Sequence, residues 1–470
     1  MAFSNLFFPF MFLPVCLLLY LIMPKRLKNL LLVLCSLVFF SWGTPEYLLL
    51  MLASLLFNYF TGLQLGAQKE AGKNGLAKFT LVTAVIVNLL LLGFFKYYGF
   101  LLENITALFG SPMKAQQLPA PIGLSFFTFS ILSYLFDVHR GKTPAAKNII
   151  NFSLFVTFFP KLVSGPIVQY SAMAGQLAEH PITREKFGAG ARLFLIGLAK
   201  KVLIANTLGI SFYAISALQP SELSAATAWL GAILYSLMLY FDFGGYSEMA
   251  IGLAGMFGFE ISKNFDYPYI SSSVSEFWRR WHISLGSWFR DYIYIPLGGS
   301  REGENKTIRN LLIVWLLTGI WHGANWTFLV WGVYYGLLLV MEKFVMRDVV
   351  EKMPKALRHF FTVLLVIIGW VFFFSDSIGN AMSYLGSMFG FGGGFFDSTA
   401  LYYLGNSWLI LLIAVVAALP FAARYFSRLY SRRGGTLTII LSVVFFGILL
   451  LLCVASMMND TYSTFLYFQF

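Results

Sequence analysis

The sequence predicts an all-α protein that crosses a membrane many times, and three observations lead there. Of its 470 residues, 58% are hydrophobic and only 11% are charged. Apolar runs recur along the whole length, and a bilayer core asks for roughly 20 apolar residues per helix. Within each run the apolar residues are continuous rather than alternating. That pattern favours helices, which satisfy their own backbone hydrogen bonds, over the strands of a barrel.

Charge sets the expected topology. The net charge is +12, and the basic residues gather in short loops at 25–28, 69–78, 140–147, 184–192, 263–309, 343–358 and 424–433. The intervening loops at 43–46, 103–117, 219–226 and 376–406, with the C-terminal tail, are poor in Lys and Arg. The positive-inside rule then places the first set in the cytoplasm and both termini outside it. Ten crossings fit, near 6–23, 28–42, 47–66, 79–101, 120–136, 191–216, 227–257, 358–375, 407–423 and 437–457. The first run has no basic residue before it and Pro24-Lys25-Arg26 after it, the reverse of a secretory signal, so it is expected to be retained. With no DNA- or RNA-binding motif, the basic loops point to membrane lipids and not to nucleic acid. Cys16, Cys35 and Cys453 lie inside apolar runs without disulfide or metal spacing, and are expected to be small buried hydrophobes. The Gly-rich stretch 390–394 reads as a flexible connector or a partner-facing surface.

Two segments resist a simple crossing. Residues 150–178 begin and end on basic loops and are interrupted by Phe159-Pro160-Lys161 and Gly165-Pro166. Residues 310–342 do the same, with Trp321-His322-Gly323-Ala324-Asn325-Trp326 between two apolar halves. The first half, 310–320, is too short to span alone. Irregular polar backbone at membrane depth survives only where protein buries it or water reaches it. Both segments are therefore expected to be broken or re-entrant and to line an internal cavity.

Five histidines narrow the chemistry. His139, His180 and His359 sit at helix ends or in loops and read as interfacial polar residues. His322 sits at the polar break of a membrane segment, where polar groups default to function. A neutral imidazole there can take a hydroxyl proton, and transfer from a thioester needs little beyond that and positioning, since a thiolate leaves easily. His282 lies in a segment whose apolar residues, from Val274 to Tyr292, follow helical spacing. Ser273 and Glu276 form a capping box before it, and Pro296 with Gly298-Gly299 ends it. One amphipathic helix is expected over this stretch, with His282 at the edge of its apolar face and Arg279, Arg280, Ser287 and Arg290 opposite. No metal site is expected, because 40 residues separate the two histidines and no His or Cys cluster completes a ligand set. Asp242, Tyr246 and Glu248 form a third polar group inside an apolar run. They are expected to face a wet cavity or an Arg partner, or to clamp two helices together.

The succession of Tyr240-Phe241-Asp242-Phe243-Gly244-Gly245-Tyr246-Ser247-Glu248-Met249-Ala250, Asn264-Phe265-Asp266-Tyr267-Pro268-Tyr269, Phe277-Trp278-Arg279-Arg280-Trp281-His282-Ile283-Ser284, Arg290-Asp291-Tyr292-Ile293-Tyr294-Ile295-Pro296-Leu297-Gly298-Gly299 and Thr318-Gly319-Ile320-Trp321-His322-Gly323 resembles the membrane-bound O-acyltransferase (MBOAT) family. Within it, the bacterial alginate O-acetylation branch is the most similar. The stretches 118–129 and 159–166 share the likeness, while the loop 376–406 and the C-terminal quarter carry no motif. The resemblance implies one membrane-embedded acyltransferase domain over 1–470, with a catalytic core at about 118–342. It implies about ten transmembrane helices, with re-entrant and amphipathic segments around a tunnel, in a bacterial cytoplasmic membrane. His322 is then the essential residue and His282 the second motif histidine. The expected donor is acetyl-CoA or another acyl thioester, with no bound cofactor. The expected partners are an extracytoplasmic acetyl-transfer protein and an exported polysaccharide. Arg279, Arg280 and Arg290 are expected to meet donor phosphates, and Trp321, Asn325, Asp242 and Tyr246 to line the substrate path, with Asn325 orienting the acyl carbonyl. A related branch that moves D-alanine to teichoic acids is the alternative, as is a transporter without catalysis. The run Lys200-Lys201-Val202-Leu203-Ile204-Ala205-Asn206 carries Asn where the branch is expected to have Asp, so a pairing of Lys200 with that position is not expected here.

Overall fold

The computed structural model describes residues 2–110, 119–421 and 435–459. The expected basic loop 424–433, the tail beyond 459 and residues 111–118 lie outside them. The described residues are helical, with no strand among them. They form two compact units, Met1–Phe194 with Met249–Ser262, and Leu195–Glu248 with Lys263–Phe470.

In the first unit the helices are α1 (Phe8–Ile22), α2 (Lys28–Ser41), α3 (Leu48–Glu70), α4 (Asn74–Leu108), α5 (Leu124–His139), α6 (Ile149–Thr157), α7 (Phe159–Leu162) and α8 (Tyr170–Ala178). Phe8, Phe12 and Phe39 pack with Phe159 in an aromatic knot, with ring centroids 5.5–6.2 Å from Phe159. The segment 150–178 breaks where its prolines and glycines predict. α6 is capped by the Asn148 side chain and stops at Phe158. The next amide, Phe159 N–H, donates to Ser36 Oγ at 3.0 Å. Lys161 is buried at this break, its Nζ 3.2 Å from Ser130 Oγ and 4.6 Å from the centre of the Phe155 ring. Buried Cys16 and Cys35 are free thiols, as expected, and so is Cys453 elsewhere in the chain.

Next in the chain come α9 (Arg184–Ser216) and α10 (Ala225–Met256). They are followed by α11 (Val274–Arg280), α12 (Ile283–Phe289), α13 (Glu304–His322), α14 (Trp326–Val345), α15 (Arg347–Lys352), α16 (Lys355–Phe374), α17 (Ile378–Met388), α18 (Ser398–Ala417) and α19 (Thr436–Asn459). Eight described helices are long and apolar enough to cross a membrane. Six coincide with expected crossings, the expected crossing at 407–423 is shifted to Ser398–Ala417, so that the expected loop 376–406 holds its start and the helix Ile378–Met388, and the eighth is α14. The expected crossings at 6–23, 28–42 and 120–136 are realised as shorter helices. The stretch 390–394 is held against a neighbouring loop: Gly393 N–H donates to Leu223 O, and Ala225 N–H to Gly394 O.

The segment 310–342 differs from expectation in one way that matters for the site. Its first half is not a short fragment. The helix starts at Glu304, so α13 runs 19 residues and is about 28 Å long. α13 and α14 form an antiparallel hairpin, and glycines make its seam. A methyl carbon on Gly319 would lie 2.4 Å from the Phe328 carbonyl oxygen, and one on Gly332 would lie 2.5 Å from the Trp315 carbonyl oxygen. Small residues are what allow helix backbones to approach this closely in a membrane protein. Replacing Gly319 by Leu forces the two backbones apart. The expected loss is about 1–3 kcal/mol, read as a lowered Tm of the full chain in detergent.

Candidate functional site

The residues expected to carry chemistry lie in the second unit. His322 is the last residue of α13 and is 4% exposed. The hairpin turn, Gly323-Ala324-Asn325, follows at once, and Gly323 is required there because a side chain would strike the Phe328 ring at 2.2 Å. The imidazole is enclosed by rings: Trp331 at 4.9 Å and Phe373 at 5.2 Å, both edge-on, with Phe328 at 6.5 Å. Trp331 adjoins seam residue Gly332, so the close helix approach is what brings its ring to the histidine.

The expected single helix over 274–292 is broken. α11 ends at Arg280, and His282 has a left-handed backbone, φ +46°. Asn264 accounts for the break. Its carbonyl accepts from Ile283 N–H at 2.9 Å, and its Oδ1 accepts from Ser284 N–H at 3.0 Å, capping the start of α12. His282 Nδ1 lies 3.3 Å from the same Oδ1. In the tautomer protonated at Nδ1 this nitrogen donates to that oxygen, and in the other the Ser284 hydroxyl, 3.5 Å away, can donate to Nδ1. Burial pushes the imidazole pKa well below its ordinary range. Periodicity alone missed the break because apolar spacing survives a one-residue change of backbone direction.

The two histidines share a neighbour. The Trp321 ring is 4.9 Å from His322 and 6.1 Å from His282. The other face of His282 meets Phe243 of α10 at 4.7 Å. Trp278 of α11 inserts against Trp315 at 4.6 Å and Tyr335 at 4.7 Å, tying α11 to the hairpin. Glu342, at the far end of α14, accepts from the first amides of α11, Val274 N–H at 2.6 Å and Ser275 N–H at 3.1 Å. The Ser273 cap forms as expected, its Oγ accepting from Glu276 N–H, while Glu276 reaches back to Ser272 N–H. The indole N–H groups of Trp278 and Trp331 are buried and have no acceptor among the described residues. The enclosure is thus largely aromatic, with imidazoles and indoles among its polar groups.

Asp242 forms a buried ion pair with Lys201, their side chains 2% and 5% exposed, which clamps α9 to α10. Lys200 pairs with Glu248. A π-turn at Lys200–Ala205 within α9 presents the two lysines, and Gly245 of α10 lets the helices touch: a methyl carbon there would lie 2.7 Å from the Gly197 carbonyl oxygen. π-turns inside helices occur often at functional sites. Tyr246 is buried beside this contact in sequence. Arg280 is held by Glu276 and Asp266, and Arg290 by Asp291. Arg279 is exposed and makes no ion pair among the described residues. Asn325 caps α14, with Oδ1 accepting from Thr327 N–H at 3.0 Å and Nδ2 donating to the Asp376 carbonyl at 2.8 Å.

A cavity of about 420 Å³ adjoins His322's enclosure. Phe328 and Phe373 belong to both, and Asn325, Ser375 and Asp376 line it as well. Asn325 is the one of these that the sequence marked; Phe328, Phe373, Ser375 and Asp376 carry no local signal, since they meet only when α14, α16 and the loop after α16 pack together. Among the described residues no cluster of His, Cys, Asp and Glu could hold a metal ion.

The Lys201–Asp242 pair makes a stability test. Lys201→Met removes the cation from the buried Asp242 carboxylate and is expected to cost about 3–5 kcal/mol, while adding Asp242→Leu removes the carboxylate as well and restores most of it. Thermal melts of the single and double variants measure the difference.

The sequence model described as MBOAT, membrane-bound O-acyltransferase family, matches residues 36–385. The chain is 40% identical over 489 residues to a probable alginate O-acetylase of Pseudomonas putida, covering 100% of each. It is 43% identical over 397 residues to a probable alginate O-acetylase of Azotobacter vinelandii, covering 83% of this chain and 79% of that one. It is 35% identical over 429 residues to a peptidoglycan O-acetyltransferase of Helicobacter pylori, covering 84% of this chain and 80% of the relative. These likenesses, over a multi-helix apolar architecture, establish that the chain belongs to the membrane-bound O-acyltransferase family.

Proposed function

We propose that the protein transfers acetyl groups from a cytoplasmic thioester, acetyl-CoA, to hydroxyl groups of an exported polysaccharide, directly or through an extracytoplasmic acetyl-transfer protein, across a bacterial cytoplasmic membrane. The observation that carries this reading is His322, a buried imidazole at the turn of a helical hairpin and one ring layer from a cavity. Relatives named for O-acetylation of alginate and of peptidoglycan support a polymer acceptor.

The hydroxyl oxygen of the acceptor attacks the thioester carbonyl as its proton passes to the neutral imidazole of His322. The tetrahedral oxyanion collapses, the C–S bond breaks, and the thiolate takes the proton back from the imidazolium. A weakly basic leaving thiolate needs no further acid, so the protein contributes chiefly position and a dry enclosure. Arg279, Arg280 and Arg290 meet the donor phosphates in this reading, with exposed Arg279 first among them because Arg280 and Arg290 also contact carboxylates. His282 acts through Trp321, whose ring it shares with His322.

His322→Ala is expected to lower acetyl transfer from labelled acetyl-CoA by about 10²-fold to 10⁴-fold in the purified full chain, with its melting temperature kept. Retained transfer refutes the reading. His282→Asn keeps a residue that tolerates a left-handed backbone and is expected to reduce kcat while the protein stays folded. Full kcat in that variant restricts His282 to a structural role.

A further inference from the structure

Two hydrogen-bond donors on α14 are buried with nothing to bond. Thr327 is 1% exposed and Trp331 0%. Neither the Thr327 hydroxyl nor the Trp331 indole N–H has a partner among the described residues. A buried donor left unpaired is costly, and native chains leave few of them. Thr327 also breaks a habit of this chain. Thr61, Thr157, Thr318 and Thr362, all within helices, each donate to the carbonyl four residues earlier. For Thr327 that carbonyl belongs to Gly323, whose backbone is extended and lies outside α14, in the turn after His322. Both donors belong to that turn's surroundings. Four residues apart on one helix, they share a face of α14. The Trp331 ring meets the His322 ring edge-on at 4.9 Å, with the two planes at 81°. Thr327 is the second residue of α14, where the positive end of the helix dipole adds to the field of its hydroxyl.

We infer that the Thr327 hydroxyl and the Trp331 indole N–H form the oxyanion hole of the acyl transfer. This deepens the acyltransferase reading and rests on it. As the acceptor oxygen bonds to the thioester carbon, the C=O π pair moves onto the carbonyl oxygen and the acceptor's proton passes to His322. The two donors bond to that oxygen while it carries the charge. When the C=O bond re-forms, the C–S bond breaks and the thiolate leaves with the proton from His322. Donors held in place by packing, with no partner to give up, need no rearrangement when the charge appears. The glycine seam supplies that fixity, since Gly332 beside Trp331 admits no side chain against the Trp315 carbonyl. A bond made only with the tetrahedral state raises kcat and leaves binding of the thioester unchanged.

The test changes one group at a time in the purified full chain. Thr327→Val removes the hydroxyl, and Thr327→Ser keeps it. Benzothienylalanine placed at position 331 by codon suppression exchanges the indole N–H for sulfur at nearly the same shape. Transfer from labelled acetyl-CoA is expected to lose about 10²-fold in kcat in Thr327→Val and in the sulfur analogue. The KM for acetyl-CoA and the melting temperature stay as in the unsubstituted chain, and Thr327→Ser keeps most of its kcat. Full kcat in Thr327→Val or in the sulfur analogue overturns the inference. So does an equal loss in Thr327→Ser, or a change confined to KM or to melting temperature. His322→Ala separates the inference from the reading beneath it. If that variant loses transfer while both donor variants keep full kcat, the oxyanion hole alone is refuted. If it retains transfer, the acyltransferase reading falls and the inference falls with it.

Discussion

Two helix backbones meet at Gly319 and Gly332, and most of the site follows from that contact. Neither position accepts a side chain, since an added carbon would fall within 2.6 Å of a carbonyl oxygen on the opposite helix. In water such a seam would be reinforced by the hydrophobic effect, but in lipid close backbone packing must itself supply the attraction. The seam puts Trp331 and Phe328 of one helix against His322 of the other. It also sets the pocket between Trp315, Trp331 and Tyr335 that Trp278 fills. Trp278 carries α11 with it, and α11 leads to His282. The distance between the two histidines is thus governed by the absence of two methyl groups.

Buried charge in this chain is met in two ways: Lys161 by a hydroxyl and an aromatic ring, and the pair on α9 and α10 by each other. Lys201 and Asp242, each buried, cancel one another where α9 touches α10. The basic residues behind the net charge of +12 gather largely in the loops. Backbone strain is treated similarly. The left-handed residues Tyr267 and His282 belong to strands of chain bonded to each other through Asp266 N–H to the Arg280 carbonyl and Ile283 N–H to the Asn264 carbonyl. Such conformations persist only where surroundings enforce them, and they gather at functional sites.

Membership of an acyltransferase family and a buried imidazole beside a cavity describe the same economy of means. Acyl transfer from a thioester asks for a base, a fixed geometry and little water. The enclosure of Trp321, Trp331, Phe328 and Phe373 around His322 supplies the fixed geometry through packing.

Much of this was legible in the residues themselves. Continuous apolar runs decide helices and a membrane, since an unpaired backbone is intolerable in lipid. The polar break at Trp321-His322-Gly323 marks its own importance by the same reasoning, and the proline and glycine interruptions of 150–178 end helices wherever they occur. Tertiary structure decided what local pattern leaves open. Apolar spacing through 274–292 is equally consistent with one helix or two, and only Asn264, ten residues before α11, settles it by capping the second. Asp242 announces a need for a partner but not that the partner is Lys201. The cavity belongs to neither kind of reasoning, because Tyr213, Asn325, Phe373 and Tyr384 acquire a common surface only when distant helices pack. Periodicity reports the face of one helix; which face it meets is a property of the whole packing.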